Sequence, residues 1–243
     1  MSAPEIIAGK PGVRLLIAAD HASNAVPAGI DLGLSAAVME THIAVDIGTA
    51  ALARGLAARL GAAAVIASVS RLVIDLNREP DAKGLIPHTS DGVHIPGNAA
   101  LTDAERAQRL MFHARYHAEI NAAIVAQLPD LIISIHSFTP QLASRPAEAR
   151  PWPVGILYNS DDRAARLGLA ELAARGFNVG DNLPYSGRDL NATMNRHAEA
   201  RGLPYLGVEV RQDQLGDAAG VERWVTVLSA VVEAVVAGLK GAA

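Results

Sequence analysis

The segment Leu131-Ile-Ile-Ser-Ile135, followed directly by His136, decides the fold of this chain. A short apolar run that ends in polar residues is typical of a buried strand. Runs of this kind alternate with longer helical patterns along the sequence, which favours a parallel sheet covered by helices on both faces. The sequence therefore predicts an α/β fold of three layers, with a mixed, mostly parallel sheet between helices, and a single domain over residues 1–243.

The same reasoning places strands and helices in alternation. The predicted strands are Val13–Ala19, Ala63–Ser68, Leu72–Leu76, Leu131–Ile135, Val154–Tyr158 and Tyr205–Val210. The predicted helices are Ser35–His42, Ile47–Leu60, Thr102–Gln127, Asp162–Arg175, Leu190–Arg201 and Ala218–Leu239. Thr102 and Glu105 fit a capping box at the start of the third helix. Two stretches without such patterns, Glu79–Ala100 and Gln141–Pro153, are predicted to be long loops, which are often functional in compact domains.

The composition excludes several classes of partner. The chain has 243 residues, a net charge of −4 and no basic block, which argues against nucleic acid as its main partner. It has no cysteine, so any metal must be held by His, Asp, Glu or Asn side chains. The first residues carry no secretory signal, and no apolar run reaches the roughly 18 residues of a membrane span. We therefore expect a cytoplasmic protein that works without a membrane or nucleic acid, and the sequence leaves its oligomeric state open.

The segment Ser70-Arg-Leu-Val-Ile-Asp-Leu-Asn-Arg78 combines an apolar centre with polar ends. Its central run, Leu72–Leu76, is typical of a buried strand, and Arg71 and Arg78 flank that run. Arginine is rarely buried without a partner, and its planar guanidinium binds a carboxylate as a two-pronged fork. The segment therefore predicts a site for a ligand that carries a carboxylate, an oxyanion or both.

Polar side chains follow several of the predicted strands at the point where each strand ends. They are Asp20 and His21, Asn77 and Arg78, His136 and Ser137, and Glu209 and Arg211. In open α/β sheets, ligands bind outside the carboxyl ends of the strands. We therefore expect these residues to share one catalytic crevice.

Two of these residues, His21 and His136, predict a metal site. Histidine is the commonest metal ligand, although a single histidine after a strand is more often structural. A catalytic zinc takes three protein ligands and leaves one position for water. The third ligand is open between Asp46 and Asn24. Asp46 would supply a negative charge but also fits the N-cap of the following helix, whereas Asn24 is a neutral amide.

Glu209 lies inside the apolar run 207–210, where a carboxylate is costly unless it has a partner or a role. Partial burial would raise its pKa towards the range of a useful general base. The structural alternative is a salt bridge with Arg211, which lies on the same face of the strand. Arg211 is also a candidate for a contact with the substrate.

His113 and His117 lie on one face of the long predicted helix, because residues four apart are neighbours on a helix surface. This spacing is only a weak zinc signal, since the glutamate of the HExxH motif is missing. We expect Tyr116 and His117 to support the site from behind the residues that touch the ligand. We expect Arg196 and His197 to lie at the surface.

Several of these motifs occur together in one known family. They are His21 with Ser23, Asn24 and Pro27, Arg71 with Asp75-Leu-Asn-Arg78, Ile95-Pro-Gly-Asn98, Tyr116-His117, and Glu209-Val-Arg-Gln-Asp213. Over residues 13–215 the chain resembles the N-formylglutamate amidohydrolase family. Its Asp-Leu-Asn-Arg block is also similar to aspartoacylase and succinylglutamate desuccinylase, which share the zinc carboxypeptidase fold. The resemblance implies that fold, and a zinc-dependent hydrolase that cleaves the amide of a small N-acyl amino acid.

The resemblance also implies roles for individual residues. His21 and His136 match the zinc-binding histidines of the wider group, whereas Asn24 stands where that group has a glutamate. Arg71 matches an arginine that polarises the substrate carbonyl, and Glu209 matches the general base.

Asn77 and Arg78 match the pair that holds the substrate carboxylate. Two other functions remain open beside the hydrolysis of a small N-acyl amino acid. A carboxypeptidase-like metallopeptidase would need an open groove for its peptide, whereas an enzyme for small acyl groups would have a pocket closed by loops. A non-catalytic module that binds carboxylated metabolites would have lost its metal, which the departure at Asn24 allows.

Overall fold

A computed structural model, which describes residues 3–241, contains a seven-stranded sheet and a separate two-stranded hairpin. The strands in chain order are β1 (Glu5–Ile7), β2 (Leu15–Ala19), β3 (Ala63–Ile66), β4 (Thr89–Ser90), β5 (Val93–His94), β6 (Leu131–Phe138), β7 (Val154–Leu157), β8 (Val179–Asp181) and β9 (Tyr205–Arg211). The sheet has the order β1-β3-β2-β6-β9-β7-β8. Its central strands β3, β2, β6 and β9 are parallel, whereas β1 and β7 run antiparallel to their neighbours β3 and β9.

Helices cover both faces of this sheet. They are α1 (Ala36–Met39), α2 (Thr49–Leu60), α3 (Asp103–Gln127), α4 (Arg163–Ala174), α5 (Ala192–His197) and α6 (Ala218–Gly241). Helices α2 and α4 pack against the sheet and against α6, while α3 packs on β2 and β3 and against α5. The predicted α/β architecture, a mixed and mostly parallel sheet between helices, is confirmed.

The central strands are buried along almost their whole length. Every residue of β6 is buried, and in β9 only Arg211 is partly exposed. Because helices cover both faces, these strands are continuous apolar runs rather than alternating patterns. The register between β6 and β9 pairs His136 with Glu209, so an imidazole and a carboxylate lie at the same level on neighbouring strands.

Helix α6 is the one helix within residues 3–241 that is long and apolar enough to cross a membrane by length and composition alone. Its buried side chains are those of Trp224, Val225, Leu228, Ser229, Val231, Val232 and Val235. The apolar members of this set belong to the hydrophobic core, and the helix packs against α2 and α4. The apolar character of α6 is therefore explained by its place in a helix layer.

The predicted strand Leu72–Leu76 is wrong, because this buried segment forms successive turns. The amide of Asp75 donates to the Leu85 carbonyl, and the carbonyls of Leu72 and Val73 accept from distant side chains rather than from a neighbouring strand. Asn98 Nδ2 donates a hydrogen bond to the Leu72 carbonyl at 2.8 Å. Arg109 Nη1 donates to the Val73 carbonyl at 3.1 Å. An apolar run reports burial, but it does not report how the backbone is hydrogen-bonded.

The edge strands β1 and β8 and the hairpin β4–β5 are missing from the sequence prediction. The two edge strands have 3 residues each, which is too short for a pattern to show. The hairpin lies inside the predicted loop Glu79–Ala100, whereas the predicted loop Gln141–Pro153 contains no helix or strand in this fully described range.

Most of the predicted helices begin close to the expected residues. Helix α3 starts with the predicted capping box, in which the Thr102 side chain and Glu105 satisfy each other's backbone amides. Helix α2 begins after Gly48, which adopts a left-handed conformation as the N-cap. Helix α5 is shorter than predicted and ends at His197, where a 3₁₀ turn follows.

Candidate active site

A cavity of about 210 Å³ lies at the carboxyl ends of the central parallel strands. The predicted site residues that line it are His21, Asp46, Arg71, Asn77, Arg78, His136 and Glu209. They come from the end of β2, from the segment that precedes α2, from β6 and β9, and from the buried turns around Leu72–Leu76. The structure thus brings together residues that lie almost 190 positions apart, as expected for a shared crevice.

His21, Asp46 and His136 place three potential metal-ligand atoms within 4.8 Å of one another. Asp46 is held beside His21 because its backbone amide donates to the His21 carbonyl at 2.9 Å. Since Gly48 caps α2, the carboxylate of Asp46 is free to face the histidines. Its Oδ2 atom lies 2.8 Å from His136 Nδ1 and 3.5 Å from His21 Nδ1.

The other ring nitrogen of each histidine faces a further carboxylate. His21 Nε2 lies 2.7 Å from Asp75 Oδ1, and His136 Nε2 lies 3.6 Å from Asp20 Oδ2. Such a carboxylate behind a metal-binding histidine fixes the ring and its tautomer. The buried atom His21 Nδ1 has no hydrogen-bond partner within residues 3–241. Two imidazoles and a carboxylate form the donor set of many catalytic zinc sites, so these residues fit a divalent metal ion.

Asn24 does not join this cluster. Its Nδ2 atom donates to Glu40 Oε1 at 3.0 Å, away from the cavity wall. Of the two candidates for the third ligand, the structure therefore brings only Asp46 to the histidines.

Asp20, which directly precedes His21, was expected in the crevice without a role of its own, and its side chain faces His136. Asp20 is fully buried, and its Oδ1 atom accepts a hydrogen bond from the Tyr116 hydroxyl at 2.6 Å. Burial alone would raise the pKa of Asp20, but hydrogen bonding and charge interactions with His136 and His21 lower that pKa to about 2. Asp20 is therefore ionised, and Tyr116 supports the site from α3. The sequence signal for Asp20 was its position at the end of a predicted strand.

Arg71 bridges two carboxylates at the cavity. Its Nη1 atom donates to Asp46 Oδ1 at 2.9 Å, and its Nη2 atom donates to Asp75 Oδ2 at 3.4 Å. Burial opposes the charge, but the Asp75 and Asp46 carboxylates raise the pKa of Arg71 above its ordinary value. A guanidinium has five N–H donors, so Arg71 retains donors for a ligand in the cavity.

Asn77 and Arg78 lie on the cavity wall where the buried turns end. The Oδ1 atom of Asn77 accepts a hydrogen bond from the Thr193 amide at 2.9 Å. The Nε atom of Arg78 lies 3.8 Å from Asp75 Oδ2, and 36% of the Arg78 side chain is exposed. Arg78 can therefore turn its fork to an incoming anion.

Glu209 is buried beside His136, and its Oε2 atom has no hydrogen-bond partner in the described part of the chain. Burial raises the pKa of Glu209 to about 7. Arg211, the proposed salt-bridge partner, instead donates to Asp213 Oδ1 at 2.8 Å and lies off the cavity wall. A buried carboxylate without a partner and with a pKa near neutrality is suited to general-base chemistry.

The outer wall of the cavity uses residues that the sequence pattern did not identify. Tyr185, between β8 and α5, and His42, after α1, both line it. The Nε2 atom of His42 lies 2.9 Å from Asp91 Oδ2. Asp91 also accepts a hydrogen bond from the Ser144 amide at 2.8 Å, which ties the two predicted loops together. These residues are joined only in space, so no local motif could have shown them.

Comparison with known proteins first places the chain among the amidohydrolases, which are enzymes that hydrolyse amides. The model of one family, N-formylglutamate amidohydrolase, matches residues 13–215. The chain therefore belongs to the N-formylglutamate amidohydrolase family, and the expected family is confirmed.

Two solved structures have a fold similar to that of this chain. The crystal structure of a gene product from Agrobacterium tumefaciens is similar, with a TM-score of 0.92 and 29% identity, over 99% of this chain and 97% of that chain. The crystal structure of N-formylglutamate amidohydrolase from Ralstonia eutropha gives a TM-score of 0.72 over 100% of both chains, and at 18% identity it shows the shared fold. No curated protein sequence is significantly similar to the chain.

The geometry of the cluster predicts which substitutions affect metal binding. Asp46→Asn removes an anionic ligand and is expected to weaken zinc binding by more than the roughly 10-fold to 100-fold typical of losing a residue behind a ligand. His21→Ala and His136→Ala are expected to abolish stoichiometric zinc. Asn24→Ala is the matched control and should keep wild-type affinity, measured by competition with a chelator. If only the Asn24 variant loses affinity, the third ligand is Asn24 instead of Asp46.

Proposed function

We propose that the protein is a zinc-dependent hydrolase that cleaves the amide of an N-formyl or short N-acyl amino acid in the cytoplasm. The observation that carries the proposal is a buried Glu209 carboxylate beside the cluster of His21, Asp46 and His136 in one small cavity. Family membership supports amide hydrolysis. The name of the Ralstonia eutropha enzyme, N-formylglutamate amidohydrolase, suggests the substrate class.

His21, Asp46 and His136 would hold the metal ion. A divalent ion in such a site supplies Lewis acidity, which lowers the pKa of water and polarises a carbonyl group. Asp75 holds the His21 ring by a hydrogen bond to Nε2, and the ionised Asp20 carboxylate faces His136 Nε2 at 3.6 Å, so that both Nδ1 atoms are turned towards Asp46.

Glu209 would act as the general base. Its carboxylate takes a proton from the water that adds to the acyl carbonyl. Glu209 then delivers this proton to the amine nitrogen as the carbon–nitrogen bond breaks. The products are the free carboxylic acid and the free amine of the amino acid. The pKa of about 7 allows Glu209 to accept and release a proton near neutral pH.

Arg71 would stabilise the negative charge that develops on the carbonyl oxygen. Its hydrogen bonds to Asp46 and Asp75 fix the guanidinium before the substrate arrives. A donor that is oriented in advance needs little reorganisation during the reaction, and the loss of one such donor commonly costs about 10²–10³-fold in rate.

Asn77 and Arg78 would hold the substrate carboxylate, which favours an acidic N-acyl amino acid. A cavity of about 210 Å³ suits a small molecule, whereas the carboxypeptidase-like alternative needs room for a peptide. The assembled cluster of His21, Asp46 and His136 disfavours a binding module that has lost its metal. Arg211, which lies off the cavity wall, has no part in this mechanism.

A hydrolysis screen tests the proposed function. Purified protein is stripped of metal and incubated with a panel of N-formyl, N-acetyl and N-succinyl amino acids, with and without added zinc, and free amine is measured. We expect release of amine from an N-acyl amino acid only when zinc is present. Cleavage of dipeptides alone would support the peptidase, and zinc binding without any hydrolysis would support a binding module.

Glu209→Gln is expected to keep zinc and to lower kcat by about 10²–10⁴-fold, the usual contribution of general acid–base catalysis. In the wild type, kcat/KM should fall as the pH is lowered through the pKa of Glu209, because protonation removes the base. That pKa is about 7 without metal, and a bound divalent cation lowers it.

Stability gives a second readout for Glu209. The pKa of about 7 lies above the ordinary value of 4.5, so the protonated carboxyl stabilises the fold. This contribution is fully present below pH 4.5 and is lost as the pH rises through about 7. At pH 8 the metal-free Glu209→Gln variant should therefore melt at or above the wild-type Tm. A lower Tm with near-normal turnover per folded molecule would assign Glu209 a purely structural role.

Arg78→Lys keeps the positive charge but loses the two-pronged geometry of the guanidinium. We expect the KM for acidic substrates to rise while kcat changes little. The reason is that Asn77 and Arg78, which form the carboxylate clamp, would hold the substrate equally in the ground and transition states. Steady-state kinetics on an acidic and a neutral N-formyl amino acid provide the measurement. An unchanged KM for the acidic substrate would remove Arg78 from the clamp.

A further inference from the structure

Three buried histidines behind the cavity have no part in the mechanism described so far. His113 and His117 lie on α3, His197 lies on α5, and their exposed fractions are 3%, 6% and 3%. The ring planes of His117 and His197 are 16° from parallel with centroids 5.1 Å apart, and the ring centroids of His113 and His117 lie 4.2 Å apart. The expectation that His197 lies at the surface is wrong. Burying three polar rings is costly unless each has a partner.

Two of these histidines bind the backbone of the turn that carries Asn77 and Arg78. His117 Nε2 lies 3.0 Å from the Leu76 carbonyl oxygen, and His113 Nε2 lies 2.9 Å from the Arg78 carbonyl oxygen. A carbonyl oxygen can only accept a hydrogen bond, so each Nε2 atom that carries its ring's proton donates to its carbonyl. The two Nε2 atoms also lie 3.1 Å from each other, and with both protonated there is no hydrogen bond between them. Asn77 is therefore held by imidazoles on both of its flanks.

The third histidine completes the chain of hydrogen bonds. In a neutral imidazole with its proton on Nε2, the Nδ1 atom is an acceptor. His117 Nδ1 lies 2.8 Å from His197 Nε2, so His197 donates to His117. Burial lowers the pKa of His117 to about 3 and that of His197 to about 4, in agreement with neutral rings. The hydrogen bonds therefore run from His197 on α5 through His117 on α3 to the Leu76 carbonyl of the turn.

Helix α5 holds the same turn a second time. The Thr193 amide donates to Asn77 Oδ1 at 2.9 Å, and the Thr193 hydroxyl donates to the Leu76 carbonyl at 3.4 Å. Since the oxygen of the Asn77 side chain is already used, its NH₂ group is the part that remains for a ligand. An NH₂ donor beside the Arg78 guanidinium is complementary to a carboxylate.

We propose that His113, His117 and His197 form a positioning chain that fixes the Asn77–Arg78 turn, and that this chain sets the preference of the site for a substrate carboxylate. The inference rests on the proposed function, because it assigns the turn to carboxylate binding. The three histidines are positioning residues, since none of them lines the cavity: His113 and His117 bind the backbone of the turn, and His197 binds His117.

Matched substitutions at His117 test the positioning chain of the three histidines. His117→Leu removes the hydrogen bonds of this side chain to the Leu76 carbonyl and to His197. His117→Gln offers an N–H donor and an oxygen acceptor in one side chain. His113→Leu removes the bond to the Arg78 carbonyl and the contact with His117 Nε2, but leaves the bond from His117 to the Leu76 carbonyl in place. His88→Leu, at an exposed position, is the control. For each variant, kcat/KM is measured for N-formylglutamate and for its two monoamides, together with the Kd for zinc.

We expect the wild type to prefer the diacid over at least one monoamide. His117→Leu should lower that preference by roughly 10-fold to 100-fold, since a misplaced positioning group can cost that much. His113→Leu should lower it less, and His117→Gln should largely restore it. The Kd for zinc and the kcat on the preferred monoamide should stay near wild type, which a general loss of structure would not allow.

The outcomes separate this inference from the proposed function. Absence of all hydrolysis by the zinc-loaded wild type overturns the proposed function. A wild-type preference for the diacid that survives in both leucine variants overturns the positioning chain alone. If the leucine variants do not fold, ¹⁵N NMR of the wild type decides, because the chain requires a neutral His117 with its proton on Nε2 at pH 7. A proton on Nδ1, or a charged ring, would exclude the chain.

Discussion

The need to hydrogen-bond a buried backbone that is not a strand governs the whole site. The turns from Ser70 to Arg78 lie in the interior, where an unpaired carbonyl is costly. Asn98, Arg109 and two histidines of α3 supply the donors that a neighbouring strand would have supplied. This arrangement frees the segment from the regular spacing of a sheet. It can therefore present arginine, aspartate and asparagine side chains to one point.

Charge at that point is balanced among few groups. Asp46 faces both histidines of the cluster through one carboxylate oxygen and binds Arg71 through the other. Asp75 likewise divides its oxygens between His21 and the two arginines of the turns. Because each carboxylate is shared by several cationic or metal-binding groups, none of these positions can change without altering its neighbours. Glu209 differs from Asp46 and Asp75, since its buried Oε2 atom has no hydrogen-bond partner among residues 3–241.

The sequence predicted the central strands and the residues at their ends, because buried parallel strands are continuous apolar runs that end in polar side chains. It did not predict the turns at Leu72–Leu76, since burial produces the same apolar pattern whether the backbone pairs with a strand or with side chains. Spacing along the chain also left the third ligand open, because Asp46 reaches the histidines through a backbone hydrogen bond to His21. His197 was misplaced for a similar reason: a short helix carries too few residues to show which face is buried.

The cavity has a floor and a roof that come from different kinds of structure. The floor is built from β6, β9 and the end of β2, which the register of the sheet holds in place. The roof, which is the outer wall described above, is built from irregular segments that include His42 and Tyr185. Loops tolerate substitution and insertion far better than central strands do. Within one lineage, the range of accepted molecules can therefore diverge by changes in the roof while the chemistry of the floor is inherited unchanged.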